Sequence, residues 1–290
     1  MAGQRRRVVF GISGHRTAHL VDWAARLLER ADRVVVVEVY RPIPYTATDW
    51  QLPVDHSGSL RELTRHQVAN AAAQLRLSRP DLAVTEELAG GAIDLALTGA
   101  AQSADLMLLG IPHSARTRAM LSRLLAEVDC PVLLIGPAEP GSTDGVAAVL
   151  RGDSADDAVL QAAFEQAHRE RRGLLVLKRW QPPLDGNVRY AETAEQKLLD
   201  NYLAGWQERY PRVGVAAELR YGETLPELMD HGDHAGLLVL ALPRPGTGRN
   251  DFEATLDEVI GHRTHPTMLI PERETAVVGS VPLIDRARHR

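Results

Sequence analysis

Basic and hydroxyl side chains cluster directly after two apolar runs of this chain. The members are His113, Ser114, Arg116 and Arg118 in the first half, and Arg244, Thr247 and Arg249 in the second. Arginine binds phosphate through paired N–H donors and needs no glycine to do so. Each cluster is therefore a candidate anion site. Ordinary solvated loop residues have the same composition, and we favour the interpretation that these side chains are solvated and bind no anion.

Two turns add further candidates for ligand binding. An open parallel sheet binds ligands beyond the carboxyl ends of its strands. The first apolar run of each half ends in such a turn, and so does the fourth run of each half, where the turns start at Gly110 and at Ala241. The predicted binding residues are Ser13, Gly14, Gly110, His113, Ser114 and Arg116 in the first half, with Arg151, Arg244 and Thr247 in the second.

The other reactive side chains predict neither catalysis nor a metal site. Asp230, His231, Asp233 and His234 are metal-binding types, but their counterparts in the first half, Gly99 through Ser103, contain no set of ligands. A surface turn is therefore the favoured interpretation. We expect His262 and His265 to follow a helix end, where a cationic side chain is favourable. Cys130 precedes Pro131 and an apolar run, which predicts a packed thiol and not a nucleophile.

The whole chain is organised as an internal repeat. Leu106–Pro112 matches Leu237–Pro243 at a shift of 131 positions (237 minus 106). Further on, Cys130–Ile135 matches His265–Ile270 at a shift of 135 (265 minus 130). Several landmarks in one order indicate a duplication. We predict domains at 1–137 and 145–275, a tail at 276–290, and a linker in the Pro- and Gly-rich segment Gly136–Asp144.

Each copy alternates short apolar runs, typical of strands, with segments of helical periodicity. This alternation predicts a parallel sheet with helices on both faces. The fold class is α/β, with two tandem Rossmann-like or flavodoxin-like open sheets of five mainly parallel strands. The predicted strands are Val8–Ile12, Val34–Val39, Leu82–Leu88, Asp105–Leu109 and Val132–Ile135, then Val146–Leu150, Gly173–Leu177, Val213–Leu219, Leu237–Leu240 and Thr267–Ile270. The first-half helices are Thr17–Arg30, Leu60–Leu77, Ala92–Gln102 and Arg116–Val128. Loops are expected at Tyr40–Gly58 and Trp180–Asn187.

The order of these motifs and the closing run Cys130–Ile135 resemble the universal stress protein family, over nearly the whole chain and twice. In that family the first strand ends in an Asp that holds the adenosine of ATP. The fourth strand opens into a Gly-x-x-Gly segment and a later Gly-Ser or Gly-Thr step that cradle the phosphates. This chain departs from the pattern. Ser13 and Arg151 replace the Asp, His113 replaces the second glycine, and Ala241 and Arg244 replace both glycines of the second copy.

The resemblance and its departures lead to two functional hypotheses. The first is a non-enzymatic stress-response regulator that acts through protein partners, with nucleotide binding lost or weakened and no cofactor required. The alternative is an ATP- or AMP-binding switch, or a slow ATPase, that uses the loop after Gly110. The resemblance also implies that Val132–Ile135 and Thr267–Ile270 pair as an intramolecular pseudo-dimer, with a homodimer as a further possibility.

Composition narrows the classes of partner and compartment. The net charge of −5 gives no electrostatic reason to expect nucleic acid as a partner, since phosphate binding needs a basic surface. The single cysteine excludes an internal disulfide and fits a cytoplasmic protein. No apolar run approaches the ~20 residues that a membrane span needs.

Overall fold

A computed structural model describes residues 6–12, 17–30, 32–40, 56–112, 114–137, 145–181, 188–232, 235–245, 251–262 and 266–272. The chain divides into two compact units, Met1–Ile135 and Gly136–Arg290. None of the helices in these ranges combines the length and apolar character that a membrane crossing requires. The predicted linker residues 138–144 and the predicted tail lie outside the described ranges.

The first unit alternates strands and helices along the chain, as predicted. Its elements are β1 (Arg7–Gly11), α1 (Thr17–Leu27), β2 (Arg33–Tyr40), α2 (His56–Ser78), β3 (Ala83–Gly90), α3 (Ile93–Ala101), β4 (Leu106–Gly110), α4 (Ala115–Glu127) and β5 (Val132–Ile135). The strand order is β3-β2-β1-β4-β5, and every neighbouring pair is parallel. The predicted α/β class with an open parallel sheet is therefore confirmed.

The strand order places β1 at the centre of the first sheet. Val9 lies opposite Val35 on one side and Met107 on the other. Val9, Phe10 and Leu108 are fully buried, because helices cover the faces of the central strands and strip water from their side chains. The carboxyl ends of β1 and β4 consequently lie side by side, where a ligand edge is expected.

Two predictions in the first unit were wrong in detail. Helix α1 ends at Leu27, three residues before the predicted Arg30. The reason is that the N–H of Glu29 donates to the Asp32 carboxylate at 2.7 Å and leaves the helical pattern. The predicted loop Tyr40–Gly58 also ends too late, since α2 already begins at His56. Residues 41–55 of that loop lie outside the described ranges.

The second unit repeats the order of the first. Its elements are β6 (Val146–Leu150), α5 (Asp156–Glu170), β7 (Leu174–Trp180), α6 (Val188–Arg209), β8 (Val215–Tyr221), α7 (Leu225–His231), β9 (Leu237–Leu242), α8 (Asp251–His262) and β10 (Thr267–Pro271). The strand order is β8-β7-β6-β9-β10, again with parallel neighbours. The predicted duplication is thus visible in the fold itself.

Strand β7 is longer than the sequence predicted, and β8 is shifted by two residues towards the C-terminus, to Val215–Tyr221 in place of Val213–Leu219. β7 runs to Trp180 and not to Leu177, so Trp180 belongs to a strand and not to the predicted loop. Its ring lies 6.0 Å from that of Tyr221, which ends β8. This pair extends the ladder because aromatic side chains on neighbouring strands stabilise each other.

Candidate functional site

The carboxyl edge of the first sheet contains the predicted Gly110 at the end of β4. Of the other predicted residues of this edge, Ser13, Gly14 and His113 lie outside the described residues. Beside Gly110, the edge is lined by leucines from the helices and from β4 itself. Among the described residues, the packing around these glycines therefore limits what this edge can bind.

Leucine side chains lie directly against the two strand-end glycines of the first unit. A methyl group added at Gly110 would lie 3.3 Å from Cδ2 of Leu20, on α1. One added at Gly11 would lie 2.5 Å from Cδ2 of Leu109. A phosphate loop needs open space and free backbone N–H groups beside its glycines. Here apolar side chains take that space on the side where a Cβ would project.

The predicted Ser114 has a structural task at the start of α4. Its hydroxyl accepts the N–H of Thr117 at 3.2 Å, and the Thr117 hydroxyl accepts the N–H of Ser114 at 3.2 Å. This capping box satisfies two backbone donors that a helix N-terminus otherwise leaves for an anion. The predicted Arg116 follows in the first turn of α4, with its side chain exposed.

In the second unit, the turn after β6 is held by a buried carboxylate that the sequence analysis did not single out. Asp156, at the start of α5, accepts the N–H groups of Arg151 and Gly152, each at 2.9 Å. Gly152 has a φ of +82°, a conformation that favours glycine. Burial raises the pKa of Asp156 to about 6, against the two backbone hydrogen bonds that lower it. An acidic residue shortly after the predicted strand Val146–Leu150, where a helix would begin, was the available signal.

Two predicted cations of the second unit meet at one residue. Arg151 lies 3.4 Å from the carboxylate of Asp153 and 3.4 Å from that of Glu272. The Nε of Arg244 donates to the backbone carbonyl of Glu272 at 2.7 Å. Glu272 directly follows β10, and no sequence pattern pointed to it. The guanidinium of Arg151, which replaces the Asp of the resembled motif, is thus already compensated by two acids.

A cavity of about 190 Å³ lies at the carboxyl edge of the second sheet. The turn after β6 supplies Arg151, the strands supply Val149, Arg179, Leu240 and Ala241, and helices α7 and α8 supply Leu225, Pro226, Leu228, Ala254, Thr255 and Glu258. Its floor is apolar and buried, while Arg179 and Ala254 are exposed at its rim. Of the predicted residues that the structure describes, only Arg151 lines it. Thr247, predicted beside Arg244, lies outside the described residues.

The remaining reactive side chains lie where a structural role accounts for them. Nε2 of His231 lies 3.4 Å from the carboxylate of Glu223, while Asp233, His234 and His265 are not described. His262 is the last residue of α8 and does not follow it as predicted. Within the described ranges, no three His, Cys, Asp or Glu residues are grouped as a metal site. Cys130 is buried, and burial raises the pKa of its thiol to about 11, so it is protonated at neutral pH.

Three comparisons relate this chain to known proteins. Residues 4–136 match the model of the universal stress protein family. A universal stress protein of Mycobacterium tuberculosis is 27% identical over 279 residues, covering 88% of this chain and 91% of its own. One from Mycolicibacterium smegmatis is 25% identical, covering 87% of this chain and 92% of its own. A solved universal stress protein structure from Archaeoglobus fulgidus, 14% identical, superposes with a TM-score of 0.66 over 93% of this chain and 98% of its own.

Proposed function

Because the chain belongs to the universal stress protein family, in its tandem form, we propose that it is a stress-response regulator that acts through protein partners and not as an enzyme. In this proposal, nucleotide binding is lost or weakened, and no cofactor is required. The protein acts in the cytoplasm, in keeping with its lone, buried cysteine.

One observation carries the proposal: among the described residues, groups that a phosphate would use are already engaged within the chain in both units. In the first unit, Leu20 lies against Gly110, and Ser114 caps α4. In the second, Arg151 faces the carboxylates of Asp153 and Glu272. A polyphosphate would have to displace these partners, and the two acids would repel it.

Exposed aromatic side chains of the second unit support the role of protein partners. Tyr190 is 78% exposed and Tyr221 is 65% exposed. Tyr221 also contacts Trp180, so two rings lie together where β7 and β8 end. Tyrosine and tryptophan are enriched in protein interfaces, because they combine a large apolar surface with a polar group.

Thermal unfolding with millimolar Mg-ATP, AMP or a cyclic nucleotide is expected to leave the midpoint unchanged. A ligand at about 100 times its dissociation constant would stabilise the fold by about 2.7 kcal/mol, which shifts a midpoint visibly. ATP hydrolysis is likewise expected to stay at the buffer rate. Differential scanning fluorimetry and a phosphate-release assay measure the two.

A nucleotide-dependent shift that Gly110→Val removes would overturn the proposal and support the nucleotide-switch alternative. Gly99→Val is the matched control, since a methyl group at Gly99 meets no atom within 4 Å outside its neighbours and its own helix. A shift that both variants retain would place nucleotide binding elsewhere and would equally contradict the proposal.

We further propose that the last strands of the two units pair within one chain. β5 ends the strand order of its own unit, and so does β10. Both are apolar, and apolar edge strands invite pairing, which a shared chain favours through high effective concentration. Light scattering is expected to give the mass of one chain, 31.8 kDa. Twice that mass would instead indicate pairing between two chains, as a homodimer.

A further inference from the structure

We propose that the cavity of the second unit binds a small aromatic monocarboxylate, with the ring on the apolar floor and the carboxylate at Arg179. The inference rests on the proposed function, because it assumes that this edge no longer takes a nucleotide. It assigns the cavity a different class of ligand, one that combines a single ring with a single negative charge.

The size of the cavity selects a one-ring ligand. Its volume is about 190 Å³, whereas an apolar cavity of about 150 Å³ is enough to hold benzene. Sites for drug-sized ligands occupy about 300–1,000 Å³. One six-membered ring with a small polar group therefore fits, and a nucleotide with base, sugar and phosphates is too large to be enclosed.

The floor of the cavity is suited to a ring. Val149, Leu240 and Ala241 come from neighbouring strands, and each is at most 2% exposed. Ala241 occupies the position of the first glycine in the resembled motif, so its methyl group adds apolar surface where that motif keeps backbone accessible. Apolar area buried here favours binding without any directional requirement.

The charges around the cavity select a monoanion. Of the two arginines that line it, Arg151 is compensated by Asp153 and Glu272. Arg179 lies at an exposed position of β7, and within the described residues its guanidinium has no hydrogen bond or ion pair. It is thus available to a carboxylate, which it binds in a bidentate geometry.

Glu258 sets the upper limit on ligand charge. It lines the same cavity from α8, and its Oε2 atom is shielded from solvent. A second negative charge on the ligand would lie near this carboxylate and be repelled by it. One carboxylate therefore matches the one guanidinium that is available among the described residues of the cavity lining, whereas a di- or triphosphate does not.

Isothermal titration calorimetry with benzoate, benzamide and Mg-ATP tests the inference on the full chain. Benzoate is expected to bind with a dissociation constant in the millimolar range or below. Benzamide, its neutral analogue of the same shape, is expected to bind at least about tenfold more weakly, because it loses the charge-assisted pair.

Variants locate the binding. Arg179→Ala is expected to weaken benzoate binding about tenfold or more. Ala254→Phe changes an exposed residue at the rim, which spares the core, and is expected to abolish binding by filling the entrance. Arg212→Ala is the matched control, because it removes an equal charge from an exposed residue of the same unit that does not line the cavity.

The outcomes of these titrations distinguish the inference from the proposed function. No benzoate binding, or binding that Arg179→Ala and Ala254→Phe leave unchanged, overturns the inference. If benzoate and ATP both fail to bind, the inference alone fails and the proposed function is untouched. If ATP binds and Ala254→Phe abolishes its binding, the proposed function fails for this unit, and the inference fails with it.

Discussion

Replacing Phe164 by alanine is expected to lower the free energy of unfolding of the second unit by about 3–5 kcal/mol. Phe164 lies in the middle of α5 and is fully buried. Its ring stacks on that of Trp206, on α6, at 5.7 Å and on that of Tyr210, which directly follows α6, at 5.5 Å. The truncation removes this contact between two helices and leaves a cavity that rigid surroundings fill only in part.

Hydrogen exchange read by mass spectrometry suits this test, because it separates peptides of the two units. Peptides of α5 and α6 are expected to exchange faster by a factor of a hundred or more, while those of the first unit stay unchanged. Tyr190→Ala removes an aromatic side chain of α6 that is 78% exposed, and its effect should stay within about 0.5 kcal/mol. An effect of Phe164→Ala as small as that of Tyr190→Ala would contradict the packing described here.

The second unit is expected to lose stability as the pH rises from about 4 to about 7, relative to the variant Asp156→Asn. Burial raises the pKa of Asp156 to about 6 from an ordinary value of 3.8. The folded state therefore holds the proton more tightly than the unfolded state does. The stabilising contribution is fully present below the unfolded pKa and is lost as the pH rises through the folded pKa.

The size of this effect follows from the shift. About two pH units correspond to about 3 kcal/mol, and asparagine has no proton to lose. Denaturant unfolding of both proteins across this pH range measures the difference between them, which should fall and then level off above the folded pKa. A difference that stays flat, or that rises with pH, would contradict the assignment.

Glu227→Gln is a control with the opposite sign. The N–H of Thr224 donates to the Glu227 carboxylate at 2.6 Å, and this hydrogen bond lowers the pKa of that exposed group. Its contribution is present above the unfolded pKa and is lost as the pH falls through the folded pKa. The two carboxyl groups therefore report on the same unit with opposite pH trends.

The effect at Asp156 also bears on the candidate site. Its carboxylate holds the N–H groups of Arg151 and Gly152, and Arg151 lines the cavity. The same carboxylate thus sets the position of one cavity wall, so a change in its charge acts on the turn that carries Arg151.

Much of the fold was predictable from the sequence, because its signals are local. Apolar runs and helical periodicity reflect burial on a strand or on one helix face, and the predicted Val132–Ile135 and Val146–Leu150 match the observed strands without error. The duplication was visible because two copies of one fold retain the same landmarks in the same order. The loss of the glycine pattern was equally visible, since it depends only on which residues are present.

Only the tertiary structure shows which contacts occupy the edges of the sheets where the family's glycine motif would lie. Arg151 and Glu272 are separated by 121 positions, and they meet because the turn after β6 and the end of β10 share one edge of a parallel sheet. The contact of Leu20 with Gly110, and the cavity beside Arg179, depend likewise on how helices pack over strand ends. Composition and periodicity determine which elements form, whereas the neighbours of a side chain across the sheet depend on strand order and on packing, which no local pattern encodes.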